Sequence, residues 1–379
     1  MKKQNITIIL YPILICFTLF LFDKIFFLPI IVENTHSWKK IERSFYDYKE
    51  DLYEVMLTNH KKNPDRKIGV ILGSSRSGEF DNLAIRKLLN DTDTYNFAAP
   101  FGPISFQYYW MERIQKENLP ISFFMVELDP LLFTKSAITY SLNGSYDWRF
   151  VLGNTDFYRE NTQNLWNVES SGFSVDESET YFLKKFFALY KYPIDFGAIK
   201  ANNQELEVGF FPGLSAGITG KEHKREFLKK IKVANRELLG AMPNEIKFAN
   251  ADFFLEKDAE NIFNTHMNPY KISLTQIYFF KRMLKLMENK NIPVIFYYPV
   301  VANALKTKME KGGILDDFNH QTSTLILKSK ENKNTKFYIV DPSINKNWTC
   351  RDFVDALHLS GACFSNLLPI LFPVELRNQ

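Results

Sequence analysis

The sequence predicts an α/β fold, a parallel sheet covered by helices on both faces, with a long insertion and an N-terminal membrane helix. Three observations lead to it. Short apolar runs of strand length alternate with longer amphipathic stretches in two separate parts of the chain, the pattern of successive βαβ units. That alternation lapses between about 135 and 265, where the sequence turns polar. The first apolar run of the chain is too long to be a strand.

Composition sets the outer bounds. The chain has 379 residues, 45% of them apolar and 24% charged, ordinary values for a globular protein of one elaborated domain or two. Its 35 Phe and 18 Tyr predict an aromatic-rich core. A net charge of +4 is too small to argue for nucleic acid, and no compact Lys/Arg patch with interleaved aromatics occurs.

Residues 1–35 read as a membrane anchor. After MKKQ, Ile6 to Phe22 carry no charge; Asp23 and Lys24 interrupt, and Ile25 to Val32 resume the apolar run. At ~1.5 Å per residue this stretch crosses a ~30 Å hydrocarbon core with some tilt. Against a cleaved signal peptide, no A-x-A-like site follows. Against a lipoprotein, Ile15 before Cys16 is bulky where a small residue is needed. Lys2 and Lys3 favour a cytoplasmic N-terminus, opposed by Lys24, Lys39 and Lys40. The expected location is therefore the cytoplasmic membrane, single-pass, with the globular part extracytoplasmic (periplasmic).

Residues 36–64 read as a helical connector. Ile41, Phe45, Tyr48, Leu52 and Val55 recur at three- and four-residue steps. The body, 65–379, opens with a strand at Lys67–Gly73, a helix at Asn82–Leu89, a strand at Thr94–Ala98, a helix at Ser105–Lys116 and a buried strand over 121–130. The pattern resumes with a helix over 271–289, a strand over 291–299, helices at Leu305–Lys311 and Gln321–Lys330, a strand over 335–343 and a closing helix at Ser360–Leu371. Between them lies the insertion, with turn signals such as SLNGS and ESSGFS and helices near 177–191 and 220–238. The second, GKEHKREFLKKIKVANR, presents either a solvated charged face or a contact for an acidic polymer.

The chemistry centres on GVILGSSRSGEF (69–80), where a buried strand opens into a loop crowded with hydroxyls. Serines there serve turn and capping chemistry, or one of them is a nucleophile. A serine needs a base, and the usual base is a histidine held by a carboxylate. Of six histidines, His36, His60 and His223 lie in or beside helices, and His266 and His320 lack a suitably spaced carboxylate. His358 stands in Asp355-Ala356-Leu357-His358, where a three-residue offset brings carboxylate and imidazole together; the rival reading is an ordinary loop or capping histidine. Arg76 either pairs with Glu79 or Asp81 or holds an anionic or polyhydroxylated substrate.

GSSRS after the first strand and DALH near the C-terminus together resemble the SGNH (GDSL-type) hydrolase superfamily. The resemblance covers roughly 65–135 and 270–375. It implies a flavodoxin-like three-layer parallel sheet, Ser75 as nucleophile, and Asp355 and His358 as its partners. A membrane anchor followed by these motifs is closest in layout to the D-alanyl-transfer and alginate O-acetylation branch, whose members handle acyl groups of cell-envelope polymers. The chain departs from the pattern in three places. Ser74 replaces the usual Asp before the nucleophile. YNFAAPFG (95–102) has no Gly at the second block, so Ala98 or Ala99 would supply the backbone N–H to the oxyanion. At the third block, where an Asn donor is expected, Glu127 and Asp129 stand instead, and a carboxylate disfavours a developing oxyanion. Asn96 is the substitute side-chain donor.

There is no HExxH, Cys-x-x-Cys pair, Asp/Asn-rich loop, P-loop or GxGxxG, so neither metal nor cofactor is expected. Cys350 and Cys363 bracket the DALH segment as a disulfide or as two buried thiols. The expected function is a membrane-anchored acyl esterase or O-acyltransferase acting on envelope glycan or lipid. The alternative is a catalytically degenerate module that binds glycan or a membrane acyltransferase partner; a third is an unrelated anchored α/β protein whose serines are structural.

Overall fold

A computed structural model describes residues 2–37, 44–89, 92–142, 145–157, 172–205, 218–331 and 334–377. Five strands form one sheet: β1 (Lys67–Leu72), β2 (Thr92–Asn96), β3 (Ile121–Glu127), β4 (Val294–Tyr297) and β5 (Phe337–Val340). Their order is β2-β1-β3-β4-β5, and every pairing is parallel. This is a doubly wound order, in which loops at the carboxyl ends of the strands gather on one edge.

Helices cover both faces because the central strands are apolar on both sides. Val70, Leu72, Phe124, Val126, Val294 and Phe296 point to one face and pack into a single core. That core also takes in Leu52, Tyr53 and Met56 of Lys49–Lys62, Trp110 of Ile104–Gln115, Phe280 of Leu274–Met287 and Phe318 of Ile314–Lys330. Ile71, Phe123, Met125, Ile295 and Tyr297 point the other way, onto Ile85 of Asn82–Leu88, Leu305 of Asn303–Lys311 and Leu368 of Phe364–Leu371. The alternation of neighbours between two cores is the period-two signature of a strand buried on both sides.

Two sequence expectations about the N-terminal part need correction. The helical stretch after the apolar N-terminal run is more than a connector, since Leu52 and Met56 are fully buried in the main core; Ile41 lies outside the described residues. The apolar run 6–32 is not one helix. α1 (Lys2–Lys24) ends at the charged pair, and after a short 3₁₀ turn α2 (Pro29–Thr35) starts anew with Pro at its first position, where a proline is well placed. The window Leu10–Phe27, formed by α1 and the 3₁₀ turn, is long and apolar enough to cross a membrane and is almost wholly uncovered.

The insertion also holds a helix that its polar sequence hides, Asp252–Ile262, which buries Leu255 and Ala259 in the second core. The basic helix Gly220–Glu237 buries Ile231 and Ala234 and turns several cations toward α2. Lys221 donates to Asn34 at 2.6 Å, Lys224 to the Val32 carbonyl at 3.3 Å, and Arg225 pairs with Glu33. Its charged face is thus partly an internal contact.

Candidate active site

The crowd of hydroxyls after β1 divides into anchors and one outward group. Gly73 is required for space: a Cβ there would lie 2.2 Å from Ser77 Oγ and 2.6 Å from Glu127 Oε2. Ser74 is extended and caps the short helix Ser75–Gly78, its Oγ accepting from the Arg76 N–H at 3.3 Å. Its own N–H and O–H donate to Glu127 at 2.8 and 2.6 Å, and the Ser77 O–H donates to the same carboxylate at 2.5 Å. Ser74 and Ser77 are buried, pinned to the end of β3; Ser75 between them is half-buried.

The histidine loop follows β5, whose carboxyl end lies on the same edge of the sheet. Asp355 shapes it by accepting the backbone N–H groups of Leu357 and His358, both at 2.8 Å. The same carboxylate receives Nδ1 of His358, at 2.9 and 2.8 Å from its two oxygens. This leaves Nε2 to face Ser75, and it lies 2.7 Å from Oγ across 283 sequence positions. Ser75, His358 and Asp355, the three residues singled out in the sequence, are thereby brought into one chain of hydrogen bonds. A serine so placed can pass its proton to the imidazole while the carboxylate fixes the tautomer.

The loop is held from a direction that motif reasoning missed. The carboxyl-terminal part of the insertion wraps it. Asp258 accepts the Ala356 N–H at 2.9 Å, Asn244 donates to the Leu359 carbonyl at 2.8 Å, and the Gly361 N–H reaches the Ile246 carbonyl at 2.7 Å. Asn250 donates to the Val354 carbonyl. A disulfide joins Cys350 to Cys363, settling that alternative. With Asp352 these cysteines form a cluster of metal-ligand type, but the oxidised pair offers no thiolate.

Electrostatics set the protonation of the dyad. Burial opposes a charge on His358, but Asp355 and, further off, Glu79 outweigh it and raise the imidazole to about 9. Burial likewise opposes ionisation of Asp355, and the His358 contact overrides it, holding the carboxyl below its ordinary range. Glu79 is the site residue with no sequence signal beyond its place in SRSGEF. Burial pushes it up to about 7, and its Oε2 has no hydrogen-bond partner among the described residues.

Arg76 pairs with neither Glu79 nor Asp81, its sequence neighbours. It is buried, with its guanidinium 2.7 Å from Glu127 and 2.9 Å from Asp129. It neutralises the two carboxylates that threatened a developing oxyanion: burial raises Glu127, but Arg76 and the serine hydrogen bonds hold it below the ordinary range. The Tyr297 hydroxyl closes this network on Ser77 and Glu127.

The expected oxyanion donors are also engaged. The Ala98 N–H donates to Asn96 Oδ1 at 3.1 Å, the Ala99 N–H to the Gly73 carbonyl at 3.1 Å, and the Asn96 amide to the Ser77 carbonyl at 2.8 Å. The cause is close packing of loop 97–103 on the serine turn: a Cβ on Gly102 would lie 2.2 Å from the Gly73 carbonyl oxygen. These residues brace the turn.

A comparison with curated proteins finds no match. A family model does match, over residues 1–374, so that the apolar N-terminal helix, the insertion and the candidate site fall within one family unit. By that match the chain belongs to the DUF1574 family, described as proteins of unknown function.

Proposed function

We propose that this protein is a membrane-anchored SGNH-like serine acyl esterase or O-acyltransferase, facing the extracytoplasmic side and acting on acyl groups of cell-envelope glycan or lipid. The observation that carries the reading is the 2.7 Å contact between Ser75 Oγ and His358 Nε2, with Asp355 on Nδ1. The doubly wound strand order supports it, as do the placement of Ser75 after β1 and of DALH after β5, and the apolar helix α1.

In the proposed reaction His358 takes the Ser75 proton as Oγ attacks an acyl carbonyl. The tetrahedral intermediate collapses as the imidazolium returns that proton to the departing alcohol, leaving an acyl-serine. Water or an acceptor hydroxyl, deprotonated by the same imidazole, then releases the acyl group and restores the serine. Ser75 is the first residue of its helix, so its N–H has no intrahelical acceptor, and in the proposed reaction it donates to the oxyanion.

The test is labelling of the detergent-solubilised full chain by a fluorophosphonate, which reacts only with an activated serine. Adduct on Ser75, lost in S75A, is the expected result. A folded protein that takes no label overturns the catalytic reading. A second reading, a glycan- or acyltransferase-binding module, is favoured by one observation: Ala98, Ala99 and Asn96 spend their donors inside the loop. The same labelling decides between the two.

A further inference from the structure

We propose that residues 186–196, FFALYKYPIDF, form a second membrane contact, seated in the interfacial layer of the bilayer on the side where α1 emerges. The proposal rests on reading α1 as membrane-spanning. It starts from Asp23 and Lys24, the charges that interrupt the apolar run. Asp23 is buried, its carboxylate accepting the backbone N–H groups of Ala188 at 2.7 Å and Leu189 at 2.9 Å. These open the short helix Ala188–Lys191, so the carboxylate satisfies donors that the helix itself leaves unpaired. Lys24 donates to the Phe186 carbonyl, with its ammonium 4.0 Å from the Phe20 ring centre. Phe187 packs edge-on against Phe20, and Tyr192 against Phe27, at 6.0 and 6.2 Å. The segment is clamped to the end of the anchor.

Having been clamped there, it leaves its apolar side chains uncovered. Phe186, Phe187, Leu189, Tyr190 and Ile194 are exposed, and Phe196 is 80% exposed. A patch of this kind marks a contact surface, and continuity with α1 identifies the occupant. The 23 residues of α1 rise roughly 34 Å at ~1.5 Å each, close to a ~30 Å hydrocarbon core. Lys24 therefore sits at the level of the headgroups, and the segment bonded to it sits at that level too. Aromatic side chains and lysines together suit this layer; Lys184 and Lys185 directly precede the patch, whereas Lys191 within the segment is turned to Asp47, 3.6 Å away. A contact on both α1 and this foot holds the catalytic domain in one attitude to the membrane.

The experiment reconstitutes the full chain, alone, into phosphatidylcholine–phosphatidylglycerol vesicles with brominated acyl chains. It compares I13W, F196W and L327W, reading each added emission over that of the unsubstituted protein. All three positions are exposed, the last on the helix Ile314–Lys330 far from the anchor in sequence. The expected result is that F196W is blue-shifted and loses most of its added emission to bromines near the headgroup, I13W to bromines deep in the chain, and L327W to neither. If I13W is quenched and F196W behaves as L327W does, the foot is wrong and the anchor stands. If F196W is blue-shifted but unquenched, a second copy covers it and the proposal fails. If I13W is itself unquenched, the anchor reading falls and the foot with it.

Discussion

Arg76 and Glu127 form a buried ion pair directly behind the candidate nucleophile, 2.7 Å apart with the carboxylate wholly enclosed. Breaking such a pair leaves an uncompensated buried charge and costs about 3–5 kcal/mol. R76A is therefore expected to lower the unfolding free energy by about that amount, read from urea denaturation in detergent. E127Q should cost less than R76A, because Arg76 keeps Asp129 at 2.9 Å. Equal, small losses for both would show that the network is not what holds the serine turn.

The base and its holder make a sharper prediction. Asp355 fixes the tautomer of His358, so D355N keeps the shape but favours the wrong one. In the serine-protease example of this change kcat falls about 10⁴-fold. D355N and H358A should abolish fluorophosphonate labelling of Ser75, with circular dichroism unchanged. D352N is the control: among the described residues it is the Asp352 carbonyl that is used, accepting from the Ser360 N–H at 2.8 Å. A dead D352N beside an active D355N would mean that the wrong aspartate has been assigned.

Labelling should also rise with pH. The imidazole acts as a base only when unprotonated, and in the folded protein it is raised to about 9. The rate constant is expected to climb through that region, well above the ~6.5 of a free histidine. Because Glu79 helps raise His358, E79Q should move the midpoint downward. The stability linkage has the opposite sense. The folded value exceeds the unfolded one, so the stabilisation from His358 is complete below ~6.5 and is lost as pH rises through about 9. A midpoint near 6.5 in the native protein would contradict the pairing.

The disulfide gives a fourth test. Cys350–Cys363 closes a loop of sequence separation 13 around the histidine, worth about 3 kcal/mol in the chain-entropy model. C350A/C363A is expected to lose stability of that order and to slow labelling, since the loop carries both His358 and Asp355. Restored labelling in a D258N background would be unexpected, because Asp258 holds the same loop through Ala356.

The sheet and the pairing of Asp355 with His358 were legible in the sequence for a local reason. A strand buried on both faces must be a short apolar run, as Val70 to Leu72 and Phe123 to Val126 are, and these runs stand out in any surroundings. Asp355 and His358 are three residues apart, so one tight loop brings them together; local pattern left Ser74, Ser75 and Ser77 as equal candidates, and only the resemblance of GSSRS to a family motif singled out Ser75. Tertiary structure alone decided everything that depends on a charge finding a distant partner. Arg76 had two carboxylates near it in sequence, Glu79 and Asp81, yet pairs with Glu127 at the end of β3 and Asp129 just beyond it. Asp23 and Lys24 read as a flaw in a membrane helix, and their partners lie over 160 positions away in the insertion. Ala98 and Ala99 could be nominated as donors from the sequence, but whether an N–H is free depends on how closely the next loop packs. Local pattern records what a residue is and which way the backbone runs; a buried polar group is satisfied by whatever the fold brings within hydrogen-bond distance.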